Sequence, residues 1–373
     1  GRKEITEAVT KQLDTLDYAQ PFQQGFGGSF ELATRISKHT PGNLNKMFYT
    51  ICGSTAVETA IKIAVAYHRA RGDAHRFRFV GRERGYHGMN IGCVSVGGMV
   101  NNVKTFASIL MPGVQHMRHT HLPEHKFVSG QPETGGDLAM DLERIASNFG
   151  PENIAACIVE PIAGSTGTLV PPKGYLQKLR QICDKHGILL IFDEVITGWG
   201  RTGSSFAGHE FGVTPDIMTM AKATTNGVVP MGVVACKDEI YDAVMDASPM
   251  GSVELFHGYT YSGIPIAVAA ALDDVADFTS YKDTDRGAKW CSVFGKSTSG
   301  NGIHSENVDP LAADDAGSRV GPTEWASMLD LVKSPFMDGH MIYTVIAGEP
   351  GTSPCMIIAD LNDPSAEFSV VQP

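Results

Sequence analysis

The chain has 373 residues, 42% apolar and 19% charged, the balance of a globular protein with a core for one large or two ordinary domains. Its net charge of −11 argues against a nucleic-acid or anionic-membrane surface as the main partner. No secretory leader and no apolar run of about 18 residues is visible, and the seven scattered cysteines lack C-x-x-C spacing, so they read as reduced thiols of a cytoplasmic protein.

The first residues, GRKEITEAVTKQL, already lie inside an amphipathic helix pattern, so a first segment is expected to be missing. From about 45 to 265, apolar strands alternate with helical patterns: FYTIC before TAVETAIKIAVAYHRARG, FRFVG before GYHG, IAACIVEPI before KGYLQKLRQICDKHG, then GILLIFDEV, DIMTMA and PMGVVACKDEIYDAV. Strands this apolar predict burial on both faces, hence parallel strands under helices, with ligands at their carboxyl ends. After about 275 the chain turns polar and Gly/Ser-rich without a clear period; MIYTVIAG and PCMIIADL then read as strands of a second, smaller domain.

The stretch GILLIFDEVITGWGRTG, residues 187–203, admits three readings. A strand ending in Asp-Glu resembles the magnesium strand of a nucleotide hydrolase, but G-x-x-x-x-G-K-[ST] is missing. At Gly295-Lys296-Ser297 the first glycine position is Trp290. The G-x-G-x-x-G from Gly198 to Gly203 resembles a dinucleotide fingerprint, but four residues separate it from the strand and no helical period follows. The third reading gives Asp193 to the ring nitrogen of a pyridine cofactor.

Other positions support the third reading. Lys222 ends the apolar strand DIMTMA, where it either leaves the core as a surface lysine or does chemistry there, its pKa lowered by burial toward that of an imine-forming amine. In CGSTAVETAIKIA, Thr55 and Glu58 have capping-box spacing, which predicts a helix beginning near Thr55, with Gly53 and Ser54 at its positive end as an anion site. Tyr86 and His87 sit in a Gly-flanked turn that could face a planar ring, and Thr260 and Ser262 could offer hydroxyls to a phosphate or cap a helix. An amine, a carboxylate, an aromatic face and an anion-binding helix start at one sheet edge match pyridoxal 5′-phosphate better than a nucleotide.

FDEVITGWGRTG followed by GVTPDIMTMAKATTNGVVPMG resembles the class III, fold-type I pyridoxal-phosphate aminotransferases, most closely the ω-amino acid (β-alanine):pyruvate group. VGRERGYHG, VSVGGMVNN, VEPIAGSTGTLVPPKGYLQKLRQICDKHG and FHGYTYSGIP fit the same group, and the likeness runs from residue 1 to about 272. It implies an α/β fold: a large domain, residues 1–270, with a mostly parallel seven-stranded sheet flanked by helices, and a small C-terminal α/β domain, residues 271–373.

By the same resemblance, Lys222 would bond to the cofactor and shuttle the substrate proton, and Asp193 would pair with the ring nitrogen. Val195 and Tyr86 would flank the ring, with His87 beside it. Gly53 and Ser54 would bind the phosphate, joined by Thr260 of a neighbouring subunit, and Glu160 would order the site. A homodimer or homotetramer with active sites at the dimer interface is implied. The reaction would be ping-pong transfer of an amino group from β-alanine or another ω-amino acid to pyruvate. An aminomutase, a decarboxylase or another amine/keto-acid transaminase is the alternative within the fold, and a cofactor-binding scaffold without turnover is the non-enzymatic one. Two departures stand out: the family's N-terminal segment is missing, and Tyr343 falls where the family's carboxylate-clamping arginine would be.

Overall fold

The computed structural model describes residues 2–22, 24–125, 128, 130–249, 253–282, 344–346, 355–358 and 369–371, with side chains described through 273. Its centre is a seven-stranded sheet of β1 (Lys46–Thr50), β2 (Arg78–Arg82), β3 (Val114–Met117), β4 (Ile154–Val159), β5 (Leu189–Asp193), β6 (Ile217–Met220) and β7 (Gly232–Cys236). The strand order is β1-β7-β6-β5-β4-β2-β3. Every residue of β4, β5, β6 and β7 is buried, as their unbroken apolar runs predict.

The pairings β3-β2-β4-β5-β6 are parallel. β7 pairs antiparallel with both β6 and β1, so the sheet is mostly parallel, as expected, and mixed because β7 runs opposite to its neighbours, where its apolar run alone suggested a parallel strand. The cause lies in the connection: β6 reaches β7 through the 3-10 turn Lys222–Thr225 and a short loop, with no helical crossover to bring the chain back parallel.

Helices cover both faces. In chain order they are α1 (Lys3–Thr15), α2 (Gly27–Ser37), α3 (Gly53–Ala70), α4 (Ile91–Val96), α5 (Val100–Thr105), α6 (Met140–Phe149), α7 (Tyr175–His186), α8 (Ala207–Glu210), α9 (Asp238–Asp246) and α10 (Pro265–Lys282). α3 packs its Ala56, Ala60, Ile63 and Ala64 on Ile158, Ile191, Ile217 and Val234, together with Ile240 of α9. On the other side α6 and α7 bring Leu142, Leu176 and Leu179 onto Val159, Leu190 and Phe192. α2 and α10 cover Met218, Met220, Val233 and Ala235. Alternate residues of β5 therefore enter different cores, the period-two rule of a strand.

Close packing restricts one strand sharply. A Cβ on Gly81 would lie 1.9 Å from the carbonyl oxygen of Val96 at the end of α4, a contact with backbone that cannot move aside cheaply. Gly81→Ala is expected to cost on the order of 4 kcal/mol or to block folding. Urea unfolding checks this, and a loss under about 1 kcal/mol would contradict it.

The tail segments expected as strands contain β8 (Thr344–Ile346) and β9 (Cys355–Ile358), which pair antiparallel, with β10 (Ser369–Val371) on the far side of β9. Residues 283–343, Gly295-Lys296-Ser297 among them, lie outside the described residues.

Candidate active site

β5 ends at Asp193. Strand alternation places its side chain on the face of Leu189 and Ile191, which is the α3 face. The carboxylate is buried, and both oxygens are engaged. Oδ1 accepts the Val195 N–H at 3.1 Å and the Thr219 hydroxyl at 3.2 Å. Oδ2 lies 2.8 Å from Nδ1 of His87, itself 3% exposed. The His87 ring, read from the sequence as a face for the cofactor, is thus bonded to Asp193 and orients its carboxylate.

The start of α3 differs from the predicted cap. The helix begins at Gly53, with Cys52 as cap residue. Thr55 is its third residue, and its hydroxyl accepts the N–H groups of Cys52 at 2.9 Å and Ile51 at 3.1 Å. Glu58 takes no part in the cap and lies a turn further on, 3.9 Å from the Cys93 thiol. The earlier start places Gly53 and Ser54 inside the first turn, where backbone N–H groups lack helical acceptors and the dipole is positive. Ser54 Oγ accepts the Met89 N–H at 3.1 Å, and a Cβ on Gly88 (φ +107°) would lie 2.3 Å from that oxygen. A Cβ on Gly53 would lie 3.0 Å from Val195, so the bare glycine lets Val195 press against the helix start.

Glu160 fastens the opposite wall. Its Oε1 accepts the Tyr86 N–H and its Oε2 the Gly164 N–H, each at 2.9 Å. Its backbone carbonyl accepts Nη2 of the buried Arg82 at 2.7 Å. Burial raises the Glu160 carboxyl above its ordinary range.

Lys222 opens the turn after β6 with φ +46°, a left-handed conformation costly for a residue with a Cβ. It is exposed where it borders the cavity. Of the two places open to it, core or surface, this chain takes the exposed one, because the turn lifts it off the core into the cleft. The cavity, about 310 Å³, brings together Gly53, Ser54, Tyr86, His87, Glu160, Asp193, Val195 and Lys222. Thr260 does not line it. It is exposed, and its carbonyl accepts the Tyr18 hydroxyl at 3.0 Å. Ser262 is buried and donates its hydroxyl to the Tyr49 carbonyl. Tyr343 lies outside the described residues.

The G-x-G-x-x-G is a loop with Gly200 at φ +86° and Gly203 at φ +88°, and no helix opens from it. It is organised by Glu194, which sequence reasoning considered only as part of a magnesium-holding Asp-Glu pair. Glu194 is fully buried and accepts the Thr197 hydroxyl at 2.5 Å and the N–H groups of Ala207 and Gly208 at 2.9 and 2.8 Å. Burial outweighs these bonds and pushes its carboxyl up to about 7, from 4.5. A folded pKa raised in this way means the native state holds the proton more tightly than the unfolded chain. The associated stability is fully present below about 4.5 and is lost as pH rises through about 7. Thermal unfolding midpoints of the wild type should fall across that window, and Glu194→Gln should flatten part of the fall. Parallel pH profiles would contradict this.

The chain matches the model of the family "Aminotransferase class-III" over residues 2–284. It is 53% identical over 295 residues to an omega-aminotransferase of Caulobacter vibrioides, covering 79% of this chain and 66% of that protein. To a beta-alanine--pyruvate aminotransferase of Pseudomonas aeruginosa it is 51% identical over 274 residues, 73% of this chain and 61% of that one. A crystal structure of the omega transaminase from Pseudomonas jessenii in complex with PMP aligns with TM-score 0.70 at 33% identity, over 75% of this chain and 62% of that one. The chain thus spans roughly three fifths to two thirds of the length of these proteins.

Proposed function

The chain belongs to the class-III aminotransferase family, and from that premise we propose that it is a pyridoxal-phosphate-dependent transaminase passing the amino group of an ω-amino acid such as β-alanine to pyruvate. The observation that carries this reading is the meeting of Asp193, Lys222, Val195 and the first turn of α3 in one cleft. The name of the Pseudomonas aeruginosa relative, a beta-alanine--pyruvate aminotransferase, supports the choice of donor and acceptor.

The residues present fit the cofactor. The start of an 18-residue helix offers N–H groups and a positive dipole to a phosphate, and the Ser54 hydroxyl, fixed by Met89, keeps its proton to donate. Asp193, held on both oxygens, presents a fixed negative charge for a pyridinium nitrogen. Val195 and Tyr86 border the space between them. When bound, pyridoxal phosphate supplies an aldehyde for the amino group and a protonated ring that withdraws electrons.

The chain's own groups then have definite work. Asp193 would keep a bound ring nitrogen protonated, and His87 and Thr219 hold Asp193 in place for that role. Lys222 Nζ would hold the cofactor and would carry a proton between the donor carbon bearing the amino group and the cofactor's aldehyde carbon. Glu160 fixes the Tyr86 backbone and so the wall beside the ring. The cycle is a double displacement: donor in and semialdehyde out, then pyruvate in and alanine out.

Thr260, exposed outside its own cleft, is assigned to the phosphate of a second copy. Phe256, 87% exposed, and Tyr261, 59% exposed, belong to the same loop and support its burial in a homodimer or a larger assembly. The division into a large domain, 1–270, and a small one, 271–373, is part of the same proposal. Among the described residues no helix is long and apolar enough to cross a membrane, and the described cysteines are unpaired, which supports a cytoplasmic setting.

The test is a panel of amine donors offered with and without pyruvate, with alanine measured by chromatography. Alanine formed from β-alanine only when pyruvate is present supports the reading. Substrate consumed equally without pyruvate would favour an aminomutase or decarboxylase and overturn it.

A further inference from the structure

Lys222 and Trp199 share an unusual property. Both are non-glycine residues in the left-handed region, at φ +46° and +59°. Such conformations persist only where the surroundings over-determine them. One buried hydrogen bond joins the two segments concerned: the indole Nε1 of Trp199 donates to Thr224 Oγ1 at 2.9 Å. That hydroxyl in turn donates to the carbonyl of Ala221 at 3.0 Å, the residue immediately before Lys222.

The surroundings close the arrangement from both sides. Thr224 is fully buried and Trp199 is 6% exposed. The indole ring lies 5.0 Å from Phe206 and 6.1 Å from His39, centroid to centroid. Its own loop is fastened by Glu194, whose carbonyl accepts the Gly198 N–H at 2.8 Å. On the other side the Thr224 N–H also reaches the Ala221 carbonyl, and the Gly227 N–H reaches that of Lys222 at 2.9 Å. The loop after β5 carries Val195 and Ile196, one wall of the cleft, and the turn after β6 carries Lys222. The chemistry needs a donor at 199 and a hydroxyl at 224. Phenylalanine at 199 would supply the ring but no proton, and valine at 224 would supply the shape but neither donor nor acceptor.

We propose that Trp199 and Thr224 are positioning residues that hold Lys222 at its reach across the cleft, so that the lysine stays in register with the wall built on Val195. The inference rests on the role given to Lys222 above. Neither residue touches the reacting atoms; both act through the backbone of Ala221 and Lys222. Misplacing a reacting group by about 1 Å costs roughly 10²-fold in rate, which bounds the effect from above.

The experiment compares wild type, Trp199→Phe, Thr224→Val, Thr224→Ser and the double variant Trp199→Phe/Thr224→Val, each loaded with pyridoxal phosphate. The readouts are the pH midpoint of the bound cofactor's absorbance, the rate of cofactor release, kcat and KM for pyruvate, and the thermal midpoint. Trp199→Phe and Thr224→Val are expected to shift the absorbance midpoint by half a pH unit or more. Their kcat should fall roughly 10- to 100-fold with KM little changed. Thr224→Ser, which keeps the hydroxyl, should restore both midpoint and kcat. The double variant should be no worse than the weaker single one, because the pair acts as a unit. Variants that share the wild-type absorbance midpoint and kcat while only their thermal midpoint drops would overturn the inference, as would failure of Thr224→Ser to restore the midpoint. A wild type that takes up no cofactor would instead overturn the proposed function, and this inference with it.

Discussion

Lys222→Ala should lose at least about 10³-fold in turnover, the largest effect expected of any single change. Positioned proton transfer alone contributes roughly 10²- to 10⁴-fold, and a covalent attachment that prepares the cofactor for exchange is lost as well. No other amine borders the cleft among the described residues, and the imidazole of His87 is engaged by Asp193. The variant should still take up cofactor, because the first turn of α3 and Asp193 are untouched. Borohydride treatment followed by mass measurement of the intact chain distinguishes the two proteins. The wild type should retain the mass of the cofactor after denaturation, and Lys222→Ala should not. Activity within tenfold of wild type, or cofactor mass fixed to the variant, would contradict the assignment.

Asp193→Asn should retain the cofactor and lose roughly 10²- to 10³-fold in turnover. The substitution preserves shape, so the Val195 N–H and the Thr219 hydroxyl can still find an acceptor where they now find Oδ1. What disappears is the fixed charge. One pKa unit corresponds to about 1.4 kcal/mol of differential interaction, so losing two to three units of preference for a protonated ring nitrogen costs about 3–4 kcal/mol. His87 then faces an amide, and its orienting role is lost with the carboxylate. Stopped-flow absorbance with β-alanine measures the rate, and near-wild-type rates would remove the role given to Asp193.

Much of the site was legible because strand chemistry is local. An apolar run ending in a carboxylate, with period-two alternation, puts Asp193 at a sheet edge and on a known face. The same reasoning put Lys222 at the end of β6. A strand of the pattern VQHM, half-exposed at the sheet edge as β3, carries no unbroken apolar run and escaped notice. The reversed direction of β7 depends on how short the β6–β7 connection is, which an apolar run does not show. The cap of α3 was misplaced because Thr55 and Glu58 have the right spacing, while the cap that forms uses Thr55 as its third residue behind a cysteine.

Pairs distant in sequence left no local trace at all. His87 and Asp193 are 106 positions apart, and Trp199 and Thr224 meet only because two loops leave adjacent strands β5 and β6 at the same edge. Glu194 entered the sequence reading only through the rejected magnesium strand. It is the buried anchor of the loop after β5. Whether Lys222 leaves the core could not be decided either, because the left-handed turn that lifts it out is set by tertiary bonds rather than by the residues of DIMTMA.

The most direct measurement of the proposed function separates the two half-reactions. The purified, cofactor-loaded protein is mixed first with β-alanine alone and then, after removal of small molecules, with pyruvate alone, while the absorbance of the bound cofactor is followed. The expected result is a loss of the original absorbance with the first reagent and its return with the second, with one alanine formed per active site. An absorbance unchanged by every amine tried, or one that returns without any keto acid, would contradict the assignment.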